Sequence, residues 1–209
     1  MKSHLLWYMR VMGNETLRLE LLALGDEDHR VRQELLAANQ LGGPYHPRME
    51  AVHTRNAARL REIIAQYGWP AEDLVGDDGA RAAWLIAQHA VGEPAFMKQA
   101  LELVRACAEQ KRCPGWHAAY LEDRIALHEG RPQRFGSQWI DEPRDGLARP
   151  WVLADPEHVD QLRASVGLEP LWPIPPPGPD LPKDLRAENE ANRKWWLDWL
   201  ASRGWSSVG

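Results

Sequence analysis

Apolar residues recur at three- and four-residue intervals along most of this chain, and Gly/Pro breaks cut the pattern into helix-length pieces. Leu17, Leu21, Leu22, Leu24, Val31, Leu35 and Leu36 predict a helix over residues 15–38, with Gly25-Asp26 as a point of division. Gly42-Gly43-Pro44 and His46-Pro47 break the pattern. Met49, Val52, Asn56, Leu60, Ile63 and Ile64 then predict a second helix over 48–67. Gly68-Trp69-Pro70 closes it, because Gly accepts the left-handed cap and Pro cannot continue a helix.

Residues 71–79 read as a loop with Asp78 capping the helix that follows. That third helix, over 79–91, is apolar nearly all round through Ala82, Ala83, Trp84, Leu85, Ile86, Ala87 and Ala90, as expected of a central element. A fourth helix follows Gly92-Glu93-Pro94 and runs to residue 111, burying Phe96, Ala100, Leu101, Leu103, Val104 and Cys107. A fifth spans 114–130, with Trp116, Tyr120, Leu121, Arg124 and Leu127 on one broad face. Residues 131–140 and 151–153 look extended and predict a short hairpin. Asp155-Pro156 opens a sixth helix to residue 166. The segment 170–182, with Pro175-Pro176-Pro177, forms a stiff extended arm before a last helix over 183–203 that carries Trp195, Trp196, Trp199 and Leu200. The expected fold is mainly α, a single helical core domain over 1–169 with a small β-hairpin element. A proline-rich arm over 170–182 links it to a Trp-rich C-terminal helix over 183–209.

Composition narrows the function classes. At 209 residues and 44% hydrophobic, the chain has ample material for a buried core. A net charge of −5 offers no field that would collect phosphate backbones, so no nucleic-acid partner is expected. The charges at Lys2, His4 and Arg10 interrupt Leu5-Leu6-Trp7, and no stretch reaches the roughly 18 apolar residues of a membrane span. A cytoplasmic protein without membrane association is the expectation. Cys107 and Cys113, six apart and with no CxxC spacing, suit a reducing compartment and not a thiolate metal site.

Three polar clusters stand in otherwise apolar surroundings, and they predict the walls of one pocket. Gln88-His89 lies on the most apolar helix, and an imidazole titrating near neutrality is the natural proton carrier there. Asp123-Arg124 follows: Asp123 is the candidate second base or orienter of His89, and Arg124 the clamp for an anionic group. Gln133, Ser137 and Gln138 surround Gly136 in a turn that supplies neutral donors and acceptors. Tyr120 and Asn56 lie on the faces that would complete the substrate contacts. For each cluster a structural role competes: a core histidine, an ion pair, an ordinary turn. The run 26–32 reads as a solvated face, from which Asp28 and Arg30 are the residues able to reach the pocket.

Taken in order, Gly68-Trp69-Pro70, Gly76, Gln88-His89-Ala90, Tyr120-Leu121-x-Asp123-Arg124, Gly130-x-x-Gln133-x-Phe135-Gly136-Ser137-Gln138 and Asp155-Pro156 resemble the bacterial domain-of-unknown-function 6624 family. Its members read approximately GWP, QHA, L-x-DR and YGTQ at similar spacing. The likeness covers roughly residues 26–171, with Phe135 where the family has Tyr and Ser137 where it has Thr. It implies that these positions belong together and brings no reaction with it.

A metal site built from His89, Asp123, His53 and His117 lacks the H-x-x-x-H or HExxH spacing of helix-borne ligands, so neither a metal nor an organic cofactor is expected. The Trp-rich C-terminal helix is expected to fold back on the body, with a homodimer or carrier-protein contact as the second reading. The leading functional expectation is a small-molecule enzyme of hydrolase, lyase or cyclase type, with a place in specialised metabolism. His89 and Asp123 would be catalytic, and Gln88, Arg124, Gln133, Ser137, Gln138, Tyr120 and Asn56 would hold the substrate. The alternative is a non-catalytic binding protein of immunity or accessory type.

Overall fold

The computed structural model describes residues 14–41, 45–142 and 144–205. Leu5-Leu6-Trp7 and the Gly42-Gly43-Pro44 break lie outside them. Among the described residues the protein is mainly α, with seven helices and one two-stranded hairpin: α1 (Glu15–Ala37), α2 (Pro47–Tyr67), α3 (Glu72–His89), α4 (Pro94–Glu109), α5 (Gly115–His128), β1 (Trp139–Asp141), β2 (Ala148–Pro150), α6 (Val159–Ser165) and α7 (Lys183–Ser202). These residues fall into two compact units that divide after His117.

In the first unit, α1 packs chiefly against α3, α2 against both, and α4 against α3. The Asn14 side chain caps α1 by accepting from the Leu17 N–H at 3.0 Å. The helix then runs unbroken through Gly25, where division was expected. A Cβ placed at Gly25 would sit 3.8 Å from that of Ala82, so this glycine is a small face at the α1–α3 crossing and not a breaker. His46 caps α2 through its ring nitrogen, Pro47 occupies the first turn, and Gly68 ends the helix at φ 77°. The expected loop at 71–79 is instead a helical turn, kinked at Gly76, whose φ of 73° turns the backbone before α3 resumes. Asp78 meets Arg18 of α1 through two hydrogen bonds just beyond the kink.

Leu21, Leu35, Leu60, Ile63, Ile86, Met97 and Val104 fill the interior of this unit. At its edge the ring of His117 stacks on Trp84 with centroids 4.9 Å apart, while the Trp84 indole N–H donates to the His117 carbonyl at 3.0 Å. Burial, helped by Arg81, pushes the His117 imidazole down to about 4.

In the second unit β1 and β2 pair antiparallel, Ile140 opposite Arg149, and an isolated parallel bridge joins Gln133 to Leu153. The helix expected from Asp155 begins at Val159. The Asp155 carboxylate accepts from the His158 N–H at 3.2 Å and so caps a preceding turn. The proline-rich stretch has no regular structure but is pinned: the Gly178 N–H donates to Asp145, the Leu181 N–H to the Arg144 carbonyl, and Arg149 to the Pro176 carbonyl. The C-terminal helix folds back within this unit, burying Leu200 and Trp205. The His128 ring lies 5.1 Å from that of Trp205 and 5.9 Å from that of Trp196. Burial, helped by Arg124, pushes His128 down to about 3.

Both histidines stay neutral in the fold but take up a proton near pH 6.5 when unfolded, so stability present above pH 6.5 is lost as pH falls toward their folded values. Urea unfolding at pH 7.5 and pH 5.5 is expected to show the start of this loss before most carboxylates titrate. His117→Phe is expected to remove the His117 share, about 1 kcal/mol over that range.

Candidate functional site

Among the described residues two polar clusters stand out, one in each unit, and the first joins a buried carboxylate to titratable side chains. Its residues come from three helices and a loop. Asp28 sits on the stripe of α1 defined by Leu17, Leu21, Val31 and Leu35, so the helical period that buries those residues buries its carboxylate as well. His53 belongs to the inner face of α2, and His89 is the last residue of α3.

The His89 Nδ1 lies 2.5 Å from Asp28 Oδ2, and His53 Nε2 lies 3.2 Å from the same oxygen. The two imidazole centroids are 4.8 Å apart, and the Tyr45 hydroxyl hydrogen-bonds His53 Nδ1 with its ring stacked on the imidazole. Side-chain exposure rises outward, from 4% for Asp28 to 11% for His53 and 25% for His89. Burial alone would raise the Asp28 carboxyl, but the two imidazoles outweigh it and hold the group well below the ordinary aspartate range. The carboxylate is therefore ionised at neutral pH. His53 Nε2, buried and near that oxygen, makes no hydrogen bond of acceptable geometry. His53 and Tyr45 also line a very small hollow, of about 10 Å³, with Glu50, Thr54, Ala90, Gly92 and Glu93.

This corrects the expected partner of His89, which is Asp28 and not Asp123. The Asp123 carboxylate lies in the second unit, fully buried, and its two oxygens serve one turn. Oδ1 accepts from the Arg134 and Phe135 N–H groups at 2.8 and 3.1 Å. Oδ2 accepts from the Phe135 and Ser137 N–H groups and from the Ser137 hydroxyl, at 3.1, 3.0 and 2.9 Å. Burial pushes its pKa up, and the donors of Ser137, Phe135 and Arg134 pull against that. A carboxylate so surrounded holds a loop.

The other expected substrate contacts in this region share that task. The Gln133 amide donates to the carbonyls of Gln138 and Trp151 at 3.0 and 2.8 Å and accepts from the Gln138 N–H at 2.9 Å. The Gln138 amide donates to the Ser137 hydroxyl. Arg163 of α6 closes the assembly from outside through the Phe135 carbonyl at 2.6 Å. Gly136 takes φ 64° there, against Leu171 and Leu153. Asn56, in the first unit, donates to the Leu24 carbonyl at 3.0 Å and ties α2 to α1. Gln88 is buried on α3 beside His89, while Tyr120 and Arg124 lie on α5 in the second unit. Sequence reasoning placed Asp28 in a solvated run although its interval from Leu21 and Val31 marked it as inward-facing. His53 was singled out as a ligand candidate and is the second imidazole of the cluster.

Fold and site together define a mainly helical protein with a buried carboxylate between two imidazoles, opening toward solvent at one of them. The family model for a family of unknown function (DUF6624) matches residues 15–174, and the chain belongs to that family. Both clusters fall inside the matched span. No curated protein and no solved structure matches significantly.

Asp123→Asn sets an amide against three backbone N–H groups and is expected to cost about 3 kcal/mol in urea unfolding. Gly136→Ala is expected to cost about 1–2 kcal/mol, mainly from the left-handed backbone. Arg134→Ala, whose bridge to Glu122 is half exposed, is expected to stay within about 1 kcal/mol.

Proposed function

We propose that the protein is an enzyme acting on a small molecule by acid–base chemistry, with Asp28, His53 and His89 as its proton-handling centre. The observation that carries this reading is the single carboxylate oxygen, buried and ionised, against which a partly exposed imidazole rests at 2.5 Å. Asp28 fixes the orientation and tautomer of His89, accepting from Nδ1–H, so that the basic lone pair falls on Nε2. The same carboxylate stabilises the imidazolium formed when His89 takes a proton from water or from a substrate hydroxyl. The second imidazole and the Tyr45 phenol extend the array toward the small hollow. That hollow, at about 10 Å³, has room for little more than one water molecule, so a substrate would meet the cluster from the solvent side of His89. Hydrolysis, elimination and cyclisation all need such a base, and a place in biosynthesis fits that range.

No helix among the described residues is long and apolar enough to cross a membrane. Helix α7 keeps Trp195, Trp196 and Trp199 only half-buried, which leaves aromatic surface for a second copy of the chain or a carrier protein.

The test is turnover of a panel of small esters, amides, lactones and phosphoesters by the wild type and by His89→Gln, Asp28→Asn and Asp123→Asn. His89→Gln is expected to lower kcat by about 10²–10⁴-fold with the helical circular dichroism unchanged. Asp28→Asn is expected to lower it less. Asp123→Asn, once its stability loss is allowed for, is expected to keep kcat within about threefold. Turnover that survives His89→Gln in the folded protein overturns the reading.

A further inference from the structure

We propose that Asp28, His53 and His89 bind one divalent transition-metal ion, with zinc the chemically best-suited occupant. The inference deepens the enzymatic reading and rests on the same three side chains, but it is carried by different observations. Each residue offers one ligand atom, and the three atoms lie within 4.8 Å of one another. Two imidazoles and one carboxylate form a donor set that zinc, iron(II) and cobalt(II) accept, while magnesium and calcium prefer oxygen alone. The ligands come from α1, α2 and α3, three helices packed on one another, so the set is held by the framework of a single unit.

One of the three ligand-atom distances is already that of a coordination sphere, and the two imidazole nitrogens lie within 4.8 Å of one another. Ligand atoms about 2.0 Å from a tetrahedral metal stand about 3.3 Å apart. Asp28 Oδ2 and His53 Nε2 are already at 3.2 Å. The 2.5 Å contact between Oδ2 and His89 Nδ1 must open by about 0.8 Å. That is a rotation of a partly exposed ring, and it follows when the shared proton leaves to solvent.

A second observation points independently to a ligand. His53 Nε2 is a buried imidazole nitrogen without a hydrogen bond of acceptable geometry, an arrangement that is costly when nothing satisfies it. Its other ring nitrogen is engaged by the Tyr45 hydroxyl. With Nδ1–H donating to the phenol oxygen, the lone pair on Nε2 is aimed at the carboxylate, the arrangement by which an outer partner orients a metal-bound imidazole. Three protein ligands leave a coordination position open, and the graded exposure puts His89 on the solvent side. Water in that position would be acidified toward neutrality, so the base of the reaction would pass from the imidazole to metal-bound hydroxide.

The buried thiols are the competing soft ligands. Cys113 points its sulfur at the Val104 carbonyl at 3.7 Å, and the three-ligand set contains neither cysteine.

The test is titration of chelator-treated protein with cobalt(II) and zinc(II), read by visible absorption and isothermal calorimetry. One equivalent is expected to bind, giving cobalt d–d bands without a thiolate charge-transfer band. Asp28→Asn, His53→Gln and His89→Gln are each expected to weaken binding by at least about 100-fold, and Tyr45→Phe by about 10-fold. Circular dichroism of the metal-free variants checks that each is folded. Absence of stoichiometric binding overturns the proposal, as does a thiolate band or binding unchanged in folded His53→Gln and His89→Gln. Binding needs no substrate, so a protein that takes up the metal but turns nothing over retains this site and loses the enzymatic reading. Turnover that survives chelation in a protein with no stoichiometric metal binding does the reverse.

Discussion

A carboxylate inside a helical bundle must be compensated, because desolvating an ion costs far more than any single packing contact returns. Asp28 meets that demand with two imidazoles, and the arrangement makes α1, α2 and α3 mutually dependent: each supplies one member of a cluster whose geometry fails if any helix shifts. The surrounding core is ordinary, built from Leu, Ile, Val and Ala at helical spacing. The small pair Gly25 and Ala82 lets α1 approach α3 closely, near the turn of α1 that carries Asp28.

The second unit solves the same problem differently. Asp123 is compensated by backbone N–H groups from a tight turn, so its charge is spent on local geometry. The contrast explains why two buried aspartates in one chain have different prospects. A carboxylate ringed by main-chain donors holds the turn that supplies them. One that rests against ring nitrogens can exchange protons with them, or share a cation with them.

Much of the architecture was legible in the sequence. The stripes of α1, α2 and α4 and the breaks at Gly68 and Pro94 depend on local periodicity and on residues with restricted or unusual backbone preferences. The errors occurred where tertiary contact overrides local preference. Gly25 reads as a breaker until it is seen facing Ala82. Residues 72–75 read as loop because Gly76 hides a kink between two helical pieces. In the second unit Gln133, Ser137, Gln138 and Asp123 share one turn, where the expectation was the wall of a pocket around His89; whether polar side chains face a substrate or one another is decided by hydrogen-bond geometry that spacing does not encode.

The amino-acid order by itself determined the helices and the family to which the chain belongs, since both follow from periodicity and from motifs in series. Only the tertiary structure decided which carboxylate meets which imidazole. Asp28 and His89 are 61 positions apart, and partners from different helices carry no mutual spacing rule: helix crossing, set by the shape of the packed side chains, brings them to 2.5 Å.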